Sequence, residues 1–216
     1  MLSPAVLEYR ERVLKKTRMG ISGSSRVLNL GCAQGHDNKD FAENSEHVVG
    51  MDILPFEQWA ELTSPKSSFI VGSGCLLPFK DGTFDIIFTK DVLHHIGEHE
   101  VALGEILRVL RTNGTAYILE SNRYNPISYF HMTLMADHQH FTQSYFRKLI
   151  LASLRGCSVA FNSFEAHVIP LKHRLLRAMF YLAEDFMEKT PLVNKLLSYN
   201  LATVRKNTET SLNQKL

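Results

Sequence analysis

Small residues near the start of the chain form a predicted turn where a ligand could sit against the backbone. Gly31, Ala33 and Gly35 alternate with larger residues, directly after the short apolar run that starts at Val27. Residues with little or no side chain let the backbone approach a bound molecule closely. Asp52 follows the next apolar run, and its carboxylate can accept hydrogen bonds from both hydroxyls of a ribose. The spacing therefore predicts a site for a ribose-containing ligand.

This turn lacks the features that bind a pyrophosphate. The dinucleotide fingerprint Gly-x-Gly-x-x-Gly, laid on Gly31, meets Ala33 and then His36, whose side chain opposes close packing of helix on strand. No Lys-Ser or Lys-Thr pair follows, so the phosphate-loop pattern fails as well. A nicotinamide-dependent dehydrogenase is thus disfavoured. S-adenosylmethionine has a ribose and no pyrophosphate, and its donor-free cationic sulfonium suits carboxylates, carbonyls and aromatic faces.

Four titratable residues follow two predicted strands and could move a proton: Asp91, His94, His95 and Glu120. Histidine titrates near neutral pH, so His94 or His95 could act as a general base. A packing role is the alternative for both histidines. A base is needed only if the molecule being modified must lose a proton.

Metal binding is not expected. His131, His138 and His140 have no carboxylate or cysteine at a spacing that completes a ligand set, and they are expected to line an acceptor pocket or lie on the surface. Three cysteines are widely separated: Cys32, Cys75 and Cys157. Without a Cys-x-x-Cys pair they predict neither a zinc site nor a disulfide framework, which favours the reducing cytoplasm.

The composition of the 216 residues indicates one α/β domain. The 24 Lys plus Arg and 22 Asp plus Glu give a formal charge of +2, so no nucleic-acid partner is expected. No run approaches the roughly 20 apolar residues of a membrane span. Acids and arginines among the first apolar residues are atypical of a secretory signal. The oligomeric state is not encoded in any recognisable pattern.

Alternating strand and helix patterns are predicted along most of the chain. Strands are predicted at 26–30, 47–51, 68–71, 83–89, 115–119, 157–161 and 200–206. Helices are predicted at 3–17, 37–44, 56–62, 98–111, 142–154 and 171–189. This order is typical of a doubly wound, parallel sheet with right-handed crossovers, whose ligands bind at the carboxyl ends of the strands.

Several motifs, taken together, resemble the class I S-adenosylmethionine-dependent methyltransferases, in particular their type-11 branch. The resemblance covers about residues 26–120, and its motifs are Val27–Gly35, Val49–Ile53, Gly72–Phe79, Phe84–Phe88, Val92–Ile96 and Glu105–Gly114. It implies a Rossmann-like, mostly parallel seven-stranded sheet with an antiparallel last strand and a helical cap. It also implies methyl transfer from S-adenosylmethionine to a small or medium acceptor by in-line displacement.

The resemblance assigns roles residue by residue. The implied cofactor contacts are Asn29, Gly31, Cys32, Ala33, Gly35, Asp52, Ile53, Ser73, Gly74, Cys75, Thr89 and Lys90. The implied acceptor contacts are Asn122, Arg123, Tyr124 and His138, and the candidate bases are Asp91, His94, His95 and Glu120.

The chain departs from the family pattern at four positions. The family usually has Asp at Asn29, Gly at Ala33, Asp at Ser73 and Gly at Asn113. The change at Ser73 replaces a charged acceptor for the adenine amino group by a neutral hydroxyl, which costs on the order of 1 kcal/mol. We expect cofactor binding to be retained but weakened. A non-catalytic member that binds S-adenosyl ligands or a partner is the alternative function.

A single domain is expected over residues 1–207. It comprises an N-terminal helix and connector at 1–25, cap or acceptor-side insertions at 122–140 and 165–199, and a disordered tail at 208–216. Residues 171–206 hold seven Lys or Arg against three acids, with an apolar side. They are expected to form a cap helix. The alternative is a helix that lies on a membrane or grips a lipid-linked acceptor.

Overall fold

The computed structural model describes residues 3–126, 129, 140–166, 174–190 and 193–208. The strands are β1 Arg26–Leu30, β2 His47–Asp52, β3 Ser67–Val71, β4 Phe84–Lys90, β5 Leu110–Ser121, β6 Ser158–Phe164 and β7 Tyr199–Arg205. The α-helices are α1 Pro4–Thr17, α2 His36–Glu43, α3 Trp59–Leu62, α4 His99–Val109, α5 Gln143–Ser153 and α6 Arg174–Lys189. Short 3-10 helices cover Leu93–His95 and Val193–Leu196.

Seven strands form one sheet in the order β3-β2-β1-β4-β5-β7-β6. The pairs β2–β3, β1–β2, β1–β4 and β4–β5 are parallel. β7 runs against β5, because Asn113 near the start of β5 donates to the Lys206 carbonyl (2.8 Å), and Asn122 beyond its end donates to that of Ser198 (2.7 Å). The predicted fold class, a mostly parallel sheet with an antiparallel last strand, is confirmed.

The centre of the sheet is apolar, as the sequence predicted. Val27, Leu28 and Leu30 of β1 are each at most 2% exposed, which is typical of a strand covered on both faces. Phe41 of α2 packs edge-to-face on Phe88 of β4, with ring centroids 5.3 Å apart. This contact fixes α2 on the sheet beside the turn that follows β1.

The predicted boundary between α4 and β5 is wrong. The helix ends at Val109 and the strand begins at Leu110, whereas a helix to 111 and a strand from 115 were expected. Phe84 of β4 pairs with Leu110, and the register then shifts before the next pairing. Asn113 adopts a left-handed conformation (φ 63°) within this bulge. Sheet pairing therefore outweighs the helical periodicity at this boundary. Within α4, Val101 was expected on the apolar face but is 47% exposed.

The helix predicted at 56–62 is shorter in the structure. α3 begins at Trp59, because the preceding residues form turns in which each N–H donates to the carbonyl three residues earlier: Trp59 donates to the Phe56 carbonyl and Ala60 to that of Glu57. The other elements agree with the prediction to within three residues at each described boundary. Residues 171–173 of the predicted last long helix lie outside the described part of the chain.

Two compact units can be distinguished within the chain. The larger unit comprises Gly20–Leu119, Arg147–Ala160 and Ala202–Leu216. The smaller unit comprises Met1–Met19, Glu120–Phe146 and Phe161–Leu201. The single domain expected at 1–207 and the expected tail stay predictions. Across the described residues, no helix is both long and apolar enough to cross a membrane.

Candidate active site

A cavity of about 730 Å³ lies in the larger unit, at the carboxyl ends of the central strands. Its lining comes from the last residue of β2 and the segments that follow β1, β2, β3 and β4: Gly31, Cys32, Ala33, Asp52, Ile53, Gly72, Ser73, Gly74, Cys75, Asp91, Val92, His95 and Ile96. Asn29, Leu30, Asp37, Phe88 and Lys90 complete it. The position is the one that open α/β sheets use for ligands.

The turn after β1 requires small residues. Gly31 (φ 71°) and Gly35 (φ 80°) adopt left-handed conformations, and an added Cβ would collide with Val92 at the first and with Phe69 at the second. Ala33 is also left-handed (φ 45°), a conformation that disfavours residues with a side chain. The glycine spacing noted in the sequence therefore serves both backbone conformation and close packing.

Asp52 connects this turn to the cavity. Its Oδ2 accepts a hydrogen bond from the Ala33 N–H at 2.8 Å, and its Oδ1 accepts one from the Leu54 N–H at 3.4 Å. Two carboxylate oxygens offer about four acceptor positions, so the group retains capacity for a ligand diol. The carboxylate is half-buried in the cavity wall and carries the charge that the predicted ribose site needs.

Two residues that support the turn after β1 were not predicted from the sequence. The Trp59 indole N–H donates to the Ala33 carbonyl at 2.7 Å, and its ring stacks on Phe69 with centroids 5.1 Å apart. Asn38 of α2 accepts a hydrogen bond from the buried Asn29 amide at 2.8 Å. Trp59 is the single tryptophan of the chain, but no spacing rule connects it to the turn.

The turn after β3 places Ser73, Gly74 and Cys75 along the cavity. The Ser73 hydroxyl accepts a hydrogen bond from the Cys75 N–H at 3.2 Å, and the Ser73 carbonyl accepts one from the Leu76 N–H. The hydroxyl thus stabilises its own turn, which limits its use as an acceptor for a ligand. The weaker adenine contact expected from the replacement of Asp by Ser stays a prediction.

Asp91 and His95 are the candidate bases that line the cavity. Asp91 is left-handed (φ 55°), its N–H donates to the Leu119 carbonyl, and Lys90 Nζ lies 3.5 Å from its carboxylate. His94 does not line the cavity, but its ring centroid lies 4.0 Å from that of His95. Glu120 is fully buried within the smaller unit.

Burial holds one cysteine at the cavity in its neutral form. Desolvation, assisted by the nearby negative charge of Asp52, raises the pKa of the Cys32 thiol to about 12. A thiol with that pKa is a poor nucleophile near neutral pH. Cys32 therefore acts as a small packing residue at the site.

Two predicted cofactor contacts do not line the cavity. Gly35 stands at the start of α2, and Thr89 is fully buried in β4 between Phe88 and Lys90, which both line the cavity. Alternate side chains of a strand point to opposite faces, so Thr89 points to the other face. Contact of either residue with a cofactor stays a prediction.

Three of the predicted acceptor contacts, Asn122, Arg123 and Tyr124, belong to the smaller unit. Asn122 is buried, and its amide donates to the carbonyls of Lys195 and Leu197, both at 2.8 Å. The Arg123 N–H donates to the Phe141 carbonyl at 3.0 Å, and the Tyr124 side chain is 56% exposed. His131 and His138 lie outside the described residues. The hydrogen bonds of the Asn122 amide thus stabilise the smaller unit.

Residues 28–118 match the family model described as a methyltransferase domain. The match covers less than half of the chain, and over this segment the chain is similar to methyltransferase domains, in agreement with its resemblance to the class I S-adenosylmethionine-dependent methyltransferases. This similarity agrees with the cofactor expected from the sequence, S-adenosyl-L-methionine.

Among curated relatives, the demethylmenaquinone methyltransferase of Renibacterium salmoninarum is 30% identical over 112 residues, 51% of this chain and 47% of that protein. The sterol 24-C-methyltransferase erg6 of Schizosaccharomyces pombe is 31% identical over 111 residues, 48% of this chain and 29% of that protein. The chain thus spans half or less of these two relatives. A solved 1,6-didemethyltoxoflavin-N1-methyltransferase of Burkholderia thailandensis, with bound 1,6-didemethyltoxoflavin and S-adenosylhomocysteine, shares the fold. Its TM-score is 0.63 at 17% identity, covering 95% of this chain and 80% of the other.

Proposed function

We propose that the protein transfers a methyl group from S-adenosylmethionine to a small-molecule acceptor with an extended apolar part. The Asp52 carboxylate in the cavity wall, bonded to the Ala33 N–H, is the observation that carries the proposal. When bound, S-adenosylmethionine supplies an electrophilic methyl group on its sulfonium. The reaction is an in-line displacement, so no covalent enzyme intermediate is needed.

The residues at the cavity fit this cofactor. Asp52 would accept from the ribose hydroxyls, while the left-handed turn at Gly31 lets backbone amides and carbonyls approach the ligand. The turn at Ser73–Cys75 would contact the adenine. The other proposed cofactor contacts are Asn29, Cys32, Ala33, Gly35, Ile53, Thr89 and Lys90. Catalysis would come mainly from alignment, which supplies up to roughly 7–11 kcal/mol in well-oriented systems.

The proposed acceptor class rests on the names of the two curated relatives, and the candidate bases are the residues that could take a proton from such an acceptor. The names of the two curated relatives indicate demethylmenaquinone and a sterol as their acceptors, both largely apolar. Asp91 or His95 would remove a proton if the acceptor must lose one, because both line the cavity; His94 and Glu120 are the other candidates. Acceptor contacts at Asn122, Arg123, Tyr124 and His138, and a cytoplasmic location, are further parts of the proposal.

Titration calorimetry with S-adenosylmethionine and S-adenosylhomocysteine tests the site. Asp52→Asn removes a charged hydrogen-bond acceptor worth about 2 kcal/mol, so affinity should fall roughly thirtyfold. Asp81→Asn is the control, because that carboxylate is exposed and pairs with Arg108 away from the cavity. Absence of binding by the wild-type chain at high ligand concentration would overturn the proposal.

Turnover is measured as production of S-adenosylhomocysteine with quinone, sterol and polar acceptors. Methylation of the apolar acceptors supports the proposed class, whereas methylation of polar acceptors alone contradicts it. Cofactor binding with no turnover on any acceptor would favour the non-catalytic alternative. That alternative is retained because the Ser73 hydroxyl already accepts a hydrogen bond from the Cys75 N–H.

A further inference from the structure

Helix α6 exposes a continuous apolar stripe. Leu175, Met179, Leu182 and Phe186 are spaced four, three and four residues apart, so they lie on one face of the helix. Each of these side chains is between 58% and 74% exposed. The stripe extends over roughly 16 Å, at about 1.5 Å per residue. An amphipathic helix of a globular protein normally turns such a face to the core, so the orientation of α6 is inverted.

The opposite, charged face of α6 is the face that packs within the smaller unit. Glu184 is 1% exposed and forms an ion pair with Arg12 of α1, and Lys16 Nζ lies 3.8 Å from it. Lys16 also pairs with Glu188, and the Arg12 guanidinium lies over the Tyr181 ring, 4.0 Å from its centroid. These contacts fix the rotation of the helix, because turning it would leave the buried charges unpaired. The apolar stripe is therefore held outward.

The charge around the stripe identifies its partner. Two of the three acids of α6 are engaged with Arg12 and Lys16 and the third, Asp185, is exposed, while α6 also has three basic residues, Arg174, Arg177 and Lys189. Lys189 at the end of α6 and Lys195 on the following 3-10 helix are exposed, beside the 45%-exposed Leu196. An apolar stripe bordered by cations is complementary to an anionic lipid surface, where acyl chains take the side chains and headgroups take the charges.

We infer that α6 docks the protein on an anionic membrane surface, with Leu175, Met179, Leu182 and Phe186 inserted at the level of the headgroups. The helix lies in the plane of the surface and does not cross it. This inference goes beyond the proposed methyl transfer and does not depend on it, because it uses no residue of the cavity.

Vesicle co-sedimentation of the full chain tests the inference. Wild-type protein should bind vesicles of phosphatidylcholine with phosphatidylglycerol more tightly than vesicles of phosphatidylcholine alone. Leu182→Ser with Phe186→Ser should lower the partition coefficient by about a hundredfold, roughly tenfold for each side chain. Leu151→Ser is the matched control, because Leu151 is 56% exposed on α5 in the larger unit, and it should change binding less than about twofold.

Three outcomes would overturn the inference: no binding of wild-type protein to the anionic vesicles, equal binding of the double variant, or equal loss in the control. Light scattering without lipid adds another test. A wild-type dimer that the double variant dissociates, without vesicle binding, would show that a second copy of the chain covers the stripe. Circular dichroism and cofactor titration should be unchanged in the double variant, which separates this result from failure of the proposed function.

Discussion

The buried ion pair between Glu184 and Arg12 makes the stability of the smaller unit sensitive to pH. Burial of the Glu184 carboxyl outweighs the attraction of Arg12 and Lys16 and raises its pKa from 4.5 to about 7. The folded protein therefore holds this proton over a pH range where the unfolded chain has lost it. The associated stability is fully present below pH 4.5 and is lost as the pH rises through about 7.

The size of this effect follows from the shift. A shift of one pKa unit corresponds to about 1.4 kcal/mol, so Glu184 should reduce the free energy of unfolding by about 3 kcal/mol across the window. For a chain of this size, 3 kcal/mol corresponds to roughly 6–12 °C in Tm. Glu184→Gln keeps the shape of the side chain and a hydrogen-bond acceptor for Arg12 but cannot titrate. It should therefore remove this part of the pH dependence of the free energy of unfolding.

The measurement is thermal or urea unfolding of wild type and Glu184→Gln between pH 4.5 and 8, followed by far-UV circular dichroism. Glu105→Gln is the control, because the hydrogen bond from Arg108 lowers the pKa of Glu105 from 4.5, so its stabilisation is present across this pH range and is lost only at lower pH; this variant should therefore keep the pH dependence of the wild type. Identical pH dependence of wild type and Glu184→Gln would refute the reasoning.

Three further predictions concern strain, an unsatisfied hydroxyl and cofactor affinity. Ala33→Gly should raise the free energy of unfolding by about 0.5 kcal/mol, because relief of the left-handed conformation (about 1–2 kcal/mol) exceeds the entropic cost of glycine. Urea unfolding measures this change in free energy. The control variant Ala42→Gly, inside α2, should lower the free energy of unfolding instead. Thr89→Val should stabilise the fold by about 1 kcal/mol, since the buried Thr89 hydroxyl has no hydrogen-bond partner among the described residues. Thr89→Ser, which keeps the hydroxyl, should not stabilise in the same thermal scans. Ser73→Asp should tighten S-adenosylmethionine binding about fivefold by calorimetry, and unchanged or weaker binding would contradict the assignment of this turn to the adenine.

The local pattern of the sequence determined the sheet unit and the location of the cavity. Short buried strands such as β1 have apolar residues that need no distant partner to be recognised, and the turn at Gly31 requires backbone conformations that favour glycine. Asp52 could be assigned to the cavity because parallel strands bring their carboxyl ends to one edge. These features are encoded within a few residues of each other.

Contacts between distant segments decided the rest. The bond from Trp59 to Ala33 and that from Asn29 to Asn38 depend on how α2 and α3 pack, which no spacing rule specifies. The end of α4 was set by pairing of Leu110 with Phe84, against the helical period of the sequence.

The rotation of α6 about its axis likewise depends on a contact between distant segments. Its amphipathic period was visible in the sequence, and such a period normally predicts that the apolar face turns inward. Only the tertiary structure, through the pairing of Glu184 with Arg12 of a helix more than 150 residues earlier, decided that the charged face is buried and the apolar one is exposed. The free energy of a buried ion pair depends on both partners and on their desolvation, and neither term can be calculated from one segment alone.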